Sequence, residues 1–63
     1  MKRYNVGPRY TYPNGDTGPM DTKEYKCLFL EAETPAKARA KYSEKTGFSG
    51  KVSAEFICMV RVW

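Results

Sequence analysis

The stretch Leu28-Phe29-Leu30-Glu31-Ala32-Glu33-Thr34-Pro35-Ala36-Lys37-Ala38-Arg39-Ala40-Lys41-Tyr42-Ser43-Glu44-Lys45-Thr46-Gly47 changes hydrophobic period in its middle. Up to Ala32 the chain alternates, with Leu28, Leu30 and Ala32 on one face and Tyr25, Cys27 and Phe29 on the other, so a strand is predicted over Lys23 to Ala32. Thr34-Pro35 then opens a helix, because a Thr hydroxyl caps free amides and a Pro at the first helical position forfeits no hydrogen bond. The helix continues to Thr46, and Gly47 stops it in the left-handed conformation. Pro35, Ala38, Tyr42 and Thr46 share one side of this helix, opposite Lys37, Lys41, Glu44 and Lys45. The small alanines predict close packing on a sheet, with Tyr42 and Phe48 as bulky anchors.

Towards the C-terminus, Lys51 to Trp63 alternates most strictly, placing Val52, Ala54, Phe56, Cys58, Val60 and Val62 on one face. The opposite face changes from Lys51, Ser53 and Glu55 to Ile57, Met59, Arg61 and Trp63. Towards the N-terminus, Lys2 to Tyr12 favours a strand through Tyr4, Val6, Tyr10, Thr11 and Tyr12, but Gly7-Pro8 interrupts it. Pro has no amide donor, which predicts a bent strand or a sheet edge. Residues 13–21 are dense in turn formers, and Asn14-Gly15 can supply the positive φ angles of a tight turn, so a mobile loop is expected there. These pieces predict one α+β domain over residues 1–63. Its sheet is small and mainly antiparallel, in ββαβ order, with one helix packed on one face.

A chain of 63 residues buries only about 60% of its unfolded surface. With 41% hydrophobic and 29% charged residues, the composition is globular rather than disordered. The absence of His removes the commonest general base and metal ligand, and two isolated cysteines cannot make a structural zinc site, so no metal or cofactor is expected. Ile57-Cys58-Met59-Val60 is far shorter than the roughly 20 residues of a membrane span, and Met1-Lys2-Arg3-Tyr4-Asn5 leads into no signal-peptide core. A cytoplasmic chain with reduced thiols and no membrane partner is the expectation. Alternation sets Cys27 on the uncovered face and Cys58 on the helix-covered face, which bars a disulfide between them.

Catalysis finds little footing. Glu31 and Glu33 stand just before a helix start, where carboxylates complement the helix dipole. Cys27 and Cys58 lack a His or a Cys-x-x-Cys arrangement to activate a thiolate, and no phosphate-binding lysine-serine pair follows a glycine loop. A non-enzymatic chain is expected. One helix covers one sheet face, so Tyr25, Phe29, Ile57, Met59, Arg61 and Trp63 gather on the other, and such residues populate interface centres. This face is expected to bind a larger protein or to form a homodimer, unless the N-terminal arm folds over it and makes it core. The second reading is nucleic-acid binding: Arg3, Tyr4, Arg9, Tyr10 and Tyr12 interleave cations with rings, and Lys37, Lys41 and Lys45 form a basic stripe. Against it, outward helix lysines are ordinarily just solvated, and strand tyrosines are ordinarily half-buried.

Phe29-Leu30-Glu31-Ala32-Glu33-Thr34, followed by an alanine-bearing helix and a last strand ending Met59-Val60-Arg61-Val62, resembles the small host RNA polymerase inhibitors of podophages. The resemblance spans roughly the last forty residues. It implies a short single domain with a sheet and one helix, which docks on a larger host protein, a nucleic-acid-handling enzyme, and inhibits it. It also implies contact roles for Arg61 and for Glu31 and Glu33. The helix departs from that family, being basic at Lys37, Lys41 and Lys45 where the family's is acidic, and the Tyr-rich N-terminal stretch has no equivalent there.

Overall fold

A computed structural model describes residues 1–61 of the chain. The elements are β1 (Lys2–Thr11), β2 (Thr17–Pro19), β3 (Leu28–Ala32), α1 (Pro35–Thr46) and β4 (Val52–Met59). The class is α+β: an antiparallel sheet with one helix on one face. Three strands rather than two precede the helix, because the expected loop over 13–21 contains β2, which returns along Arg9 to Thr11. The turn is built by Asn14, whose Oδ1 accepts from Asp16 N–H at 3.0 Å, and by Gly15 at φ 92°. The strand expected from Lys23 begins only at Leu28. Before it, Thr22 turns the chain by accepting from Tyr25 N–H through its hydroxyl and donating back to the Tyr25 carbonyl.

The N-terminal strand is central, not an edge. β1 pairs with β3 over Lys2 to Val6 and with β4 over Lys2 to Pro8. Pro8 is tolerated there for a geometric reason. Successive strand residues present their backbone groups to opposite edges. Arg9 N–H donates towards β4, to the Lys51 carbonyl, whereas the Pro8 carbonyl accepts from Met20 N–H on the other side. The donor that Pro8 lacks therefore falls where β3 has ended, at Leu28, and β2 has yet to begin, at Pro19.

The core lies between helix and sheet: Tyr4, Val6, Leu30, Ala32, Ala38, Tyr42 and Val52, with Leu28, Phe48 and Ala54 packed against it. Ala38 and Tyr42 are the helix's buried residues, so the side predicted to face the sheet does so through these two. Tyr42 also donates its hydroxyl to the Lys26 carbonyl at 2.8 Å, satisfying the polar tip of a buried ring. At the helix start the Thr34 hydroxyl accepts from Lys37 N–H, and at its end Gly47 sits at φ 76°.

The last strand departs from strict alternation. Tyr4 stands opposite Phe56, but Arg3 stands opposite Cys58, so Ile57 is an extra residue and the strand bulges there. Beyond the bulge every side chain changes face. Met59, opposite Lys2, joins the helix-side row, and Cys58, opposite Arg3, moves to the open face. Phe56 stays on the helix side at the edge of the Tyr4 ring, yet it is 53% exposed, outside the area that the helix covers. The expectation that Cys58 lies under the helix is thereby corrected. Both thiols are free, and the reason is distance along the sheet rather than opposite faces: Cys58 lies opposite Arg3, whereas Cys27 lies against Gly7.

Candidate functional site

Residues opposite one another in an antiparallel pair share a face. Arg3 and Asn5 of β1 thus share the helix-free face with Glu31 and Phe29 of β3 and with Cys58 and Glu55 of β4. Phe29 dominates this surface, at 72% exposure. It lines two adjoining grooves. One, of ≈ 370 Å³, is lined by Arg3, Phe29, Glu31 and Ile57. The other, of ≈ 470 Å³, is lined by Asn5, Pro19, Met20, Asp21, Cys27 and Phe29. The return of the β1–β2 hairpin, Pro19 to Asp21, therefore flanks the open face without covering Phe29.

The polar elements of the first groove are joined. Arg3 Nη2 reaches Glu31 Oε2 at 3.2 Å, with both side chains nearly half exposed. An exposed pair of this kind contributes little to stability, so it can exchange for a partner's groups at small cost. This also corrects the placement of Glu31 as a helix-dipole carboxylate: it faces Arg3, and the first turn of the helix carries no acidic residue.

At the far end Cys27 N–H donates to Asp21 Oδ1 at 2.6 Å, which holds the Asp21 carboxyl below its ordinary value. Burial, followed by the hydrogen bond and charge of Asp21, pushes the Cys27 thiol up to about 11. The thiol is consequently protonated at neutral pH and is a poor nucleophile.

The structure divides the predicted interface residues. Phe29 and Ile57 meet in one groove. Tyr25 does not join them: it packs on Phe48, ring centroids 4.8 Å apart, within the aromatic cluster that includes Tyr42. The turn over residues 22–25, which the two-residue period could not foresee, carries it there. Met59 is 60% exposed, but on the helix-side row beyond the bulge. Arg61 is exposed, and Trp63 lies outside the described residues. Asn5 and Met20 line the site without having been foreseen, since only the register of β1 against β3 and the hairpin's return place them there, whereas Cys27 lies beside Phe29 on the face that alternation predicts.

The nucleic-acid set is likewise divided. Tyr4 is 2% exposed and forms part of the core, so its ring is closed to stacking. Arg3 is engaged with Glu31, and Lys41 Nζ donates to the Glu31 carbonyl at 2.6 Å. Lys37 and Lys45 are exposed on the helix. Tyr10 and Tyr12 are exposed and meet edge to face at 4.9 Å. A carboxylate adjoins them: a Cβ on Gly18 would lie 3.5 Å from the Tyr12 ring and 3.8 Å from Glu55 Oε2.

No family model, curated protein or solved structure compared with this chain matches it. Among the described residues no group of three or more Cys, Asp or Glu side chains is placed to hold a metal ion, and no helix is long and apolar enough to cross a membrane.

Proposed function

We propose that this chain is a non-enzymatic protein-binding module that works in the cytoplasm and uses its helix-free sheet face to dock on a larger protein. The observation that carries the reading is Phe29, a large aromatic ring left 72% exposed on a regular strand, between two grooves. An exposed aromatic ring rimmed by polar groups such as Arg3, Asn5 and Glu31 is the composition of an interface centre, where large aromatic residues are enriched and the rim is polar. The partner supplies an apolar side chain to the groove between Phe29 and Ile57, and polar groups that exchange with the Arg3–Glu31 pair. In line with the resemblance to the podophage polymerase inhibitors, the partner is a host nucleic-acid-handling enzyme, inhibited by occupation of its surface.

The test is capture from a nuclease-treated bacterial lysate on the immobilised chain, identified by mass spectrometry and repeated with Phe29→Ala. The expected result is one dominant partner, lost with Phe29→Ala although its thermal melt is unchanged, since truncating an interface anchor typically costs about 2 kcal/mol or more of binding. Equal capture by both chains would overturn the reading. If capture vanished on nuclease treatment and depended instead on Tyr10, Tyr12 and Lys37, the second reading, a nucleic-acid binder, would replace it.

A further inference from the structure

The open face is one unpartnered surface; the outer edge of β4 is another. β4 pairs with β1 alone. Because Arg9 N–H donates to the Lys51 carbonyl, the alternation sends the backbone groups of Ser53 and Glu55 inwards as well, and those of Val52, Ala54 and Phe56 outwards. Among the described residues no turn, loop or helix bonds to those outward groups. Natural edges are usually protected by Lys, Pro or a bulge. Here Val52–Met59 contains neither Lys nor Pro, and the bulge at Ile57 lies past the outward-facing stretch.

We propose that this edge pairs with the same edge of a second copy, antiparallel about a two-fold axis at Ser53. Charge selects the occupant and the register. The chain carries +4 overall, which opposes self-association through its basic surfaces, whereas β4 holds Glu55 as its one charged residue. Pairing about Ser53 sets Glu55 opposite Lys51 of the second copy, and Lys51 opposite the second Glu55. Both fall in non-hydrogen-bonded positions, where side chains approach most closely. Val52 and Ala54 of opposite copies exchange both of their outward backbone bonds. Phe56, 53% exposed in the single chain, comes over Gly50 of the second copy, beside the Phe48 ring that already roofs this glycine. Any other two-fold centre within the strand loses the double Lys51–Glu55 match. The result is one continuous sheet across two copies, with both Phe29 faces left open, so this inference is independent of the proposed docking function.

The experiment is sedimentation equilibrium over a concentration series at low salt, on the parent chain, Ala54→Pro, Glu55→Lys and the double exchange Lys51→Glu with Glu55→Lys. The parent is expected to move from one-chain to two-chain mass as concentration rises. Ala54→Pro removes an outward donor, a change that an edge strand accepts, and should remain a folded monomer. Glu55→Lys sets like charges together and should weaken the dimer at least tenfold, and the double exchange should recover most of that loss. A parent chain that stays monomeric up to millimolar concentration overturns the proposal. So does a dimer indifferent to Ala54→Pro and Glu55→Lys, or one abolished by Phe29→Ala, which would place the contact on the open face. Should Ala54→Pro fail to fold, the charge exchange decides alone: no recovery in the double variant overturns the register and the proposal with it.

Discussion

Gly7 shows how one missing side chain shapes the site. Its backbone is not in the left-handed region, so the requirement is space: a Cβ there would meet Cys27 Sγ at 2.5 Å and Cys27 Cα at 3.2 Å. Gly7→Ala is expected to destabilise the chain by about 1–3 kcal/mol through overpacking, read from the urea midpoint. Cys27, held against that glycine, links stability to pH. Its thiol is pushed up to about 11 in the fold, chiefly by burial and then by Asp21. The native chain therefore keeps its proton where the unfolded chain, at the ordinary thiol value of about 8.5, has lost it. Stability is expected to be full below the ordinary value and to fall as pH rises towards 11. Cys27→Ala should flatten that fall, leaving the part due to Tyr42, whose hydroxyl burial also raises. At pH 8 iodoacetamide should modify the exposed Cys58 well before Cys27, as peptide mapping would show; the reverse order would contradict the half-buried placement of Cys27 against Gly7 and Asp21.

At the scale of the element, α1 depends on its ends and on two side chains. Ala38 and Tyr42 are its buried residues, so the helix gains little from apolar burial and correspondingly more from its caps. Thr34→Ala removes the acceptor for Lys37 N–H and is expected to cost about 1 kcal/mol. Tyr42→Phe keeps the ring but leaves the Lys26 carbonyl without its donor, an expected loss of about 1 kcal/mol. Denaturant midpoints measure both, and the two losses should add, because the cap and the hydroxyl share no partner. In β4 the decisive local feature is the extra residue Ile57. It moves Cys58 to the open face and Met59 to the helix side, while Ile57 keeps the face that alternation gives it and lines the groove beside Phe29.

Across the whole molecule, the two faces of the sheet carry different loads. Tyr4 and Phe29 belong to neighbouring strands of one sheet, the first 2% and the second 72% exposed. Tyr4→Ala empties the centre of the core, at an expected cost of about 3–5 kcal/mol. That equals roughly all the stability a core of this size supplies, so the cooperative melt should disappear. Phe29→Ala should shift stability by no more than about 0.5 kcal/mol. Thermal unfolding of the two variants side by side checks both statements. A melt lost in Phe29→Ala would make that ring structural and remove the ground for a docking face.

Much of this architecture is legible along the chain. The helix over Pro35–Thr46 follows from Thr34, Pro35 and Gly47, whose capping roles depend on neighbours within a few residues. The helix-side row Leu28, Leu30 and Ala32, with Phe29 opposite, follows from a two-residue period that the backbone itself imposes. The α+β class needs no more than these elements in order. Other placements depend on which strand lies beside which. Tyr4 resembles Tyr10 and Tyr12 in sequence, but it alone of the three lies under the helix, because it sits where β1 is flanked by β3 and β4, whereas Tyr10 lies further along, in the hairpin with β2. Tyr25 leaves the open face through the turn at Thr22, and Cys58 and Met59 exchange faces through the bulge opposite Arg3. Alternation is a property of one strand, which the chain carries locally. Face and register are properties of a pair of strands distant in sequence, settled only when β1 takes its place between β3 and β4.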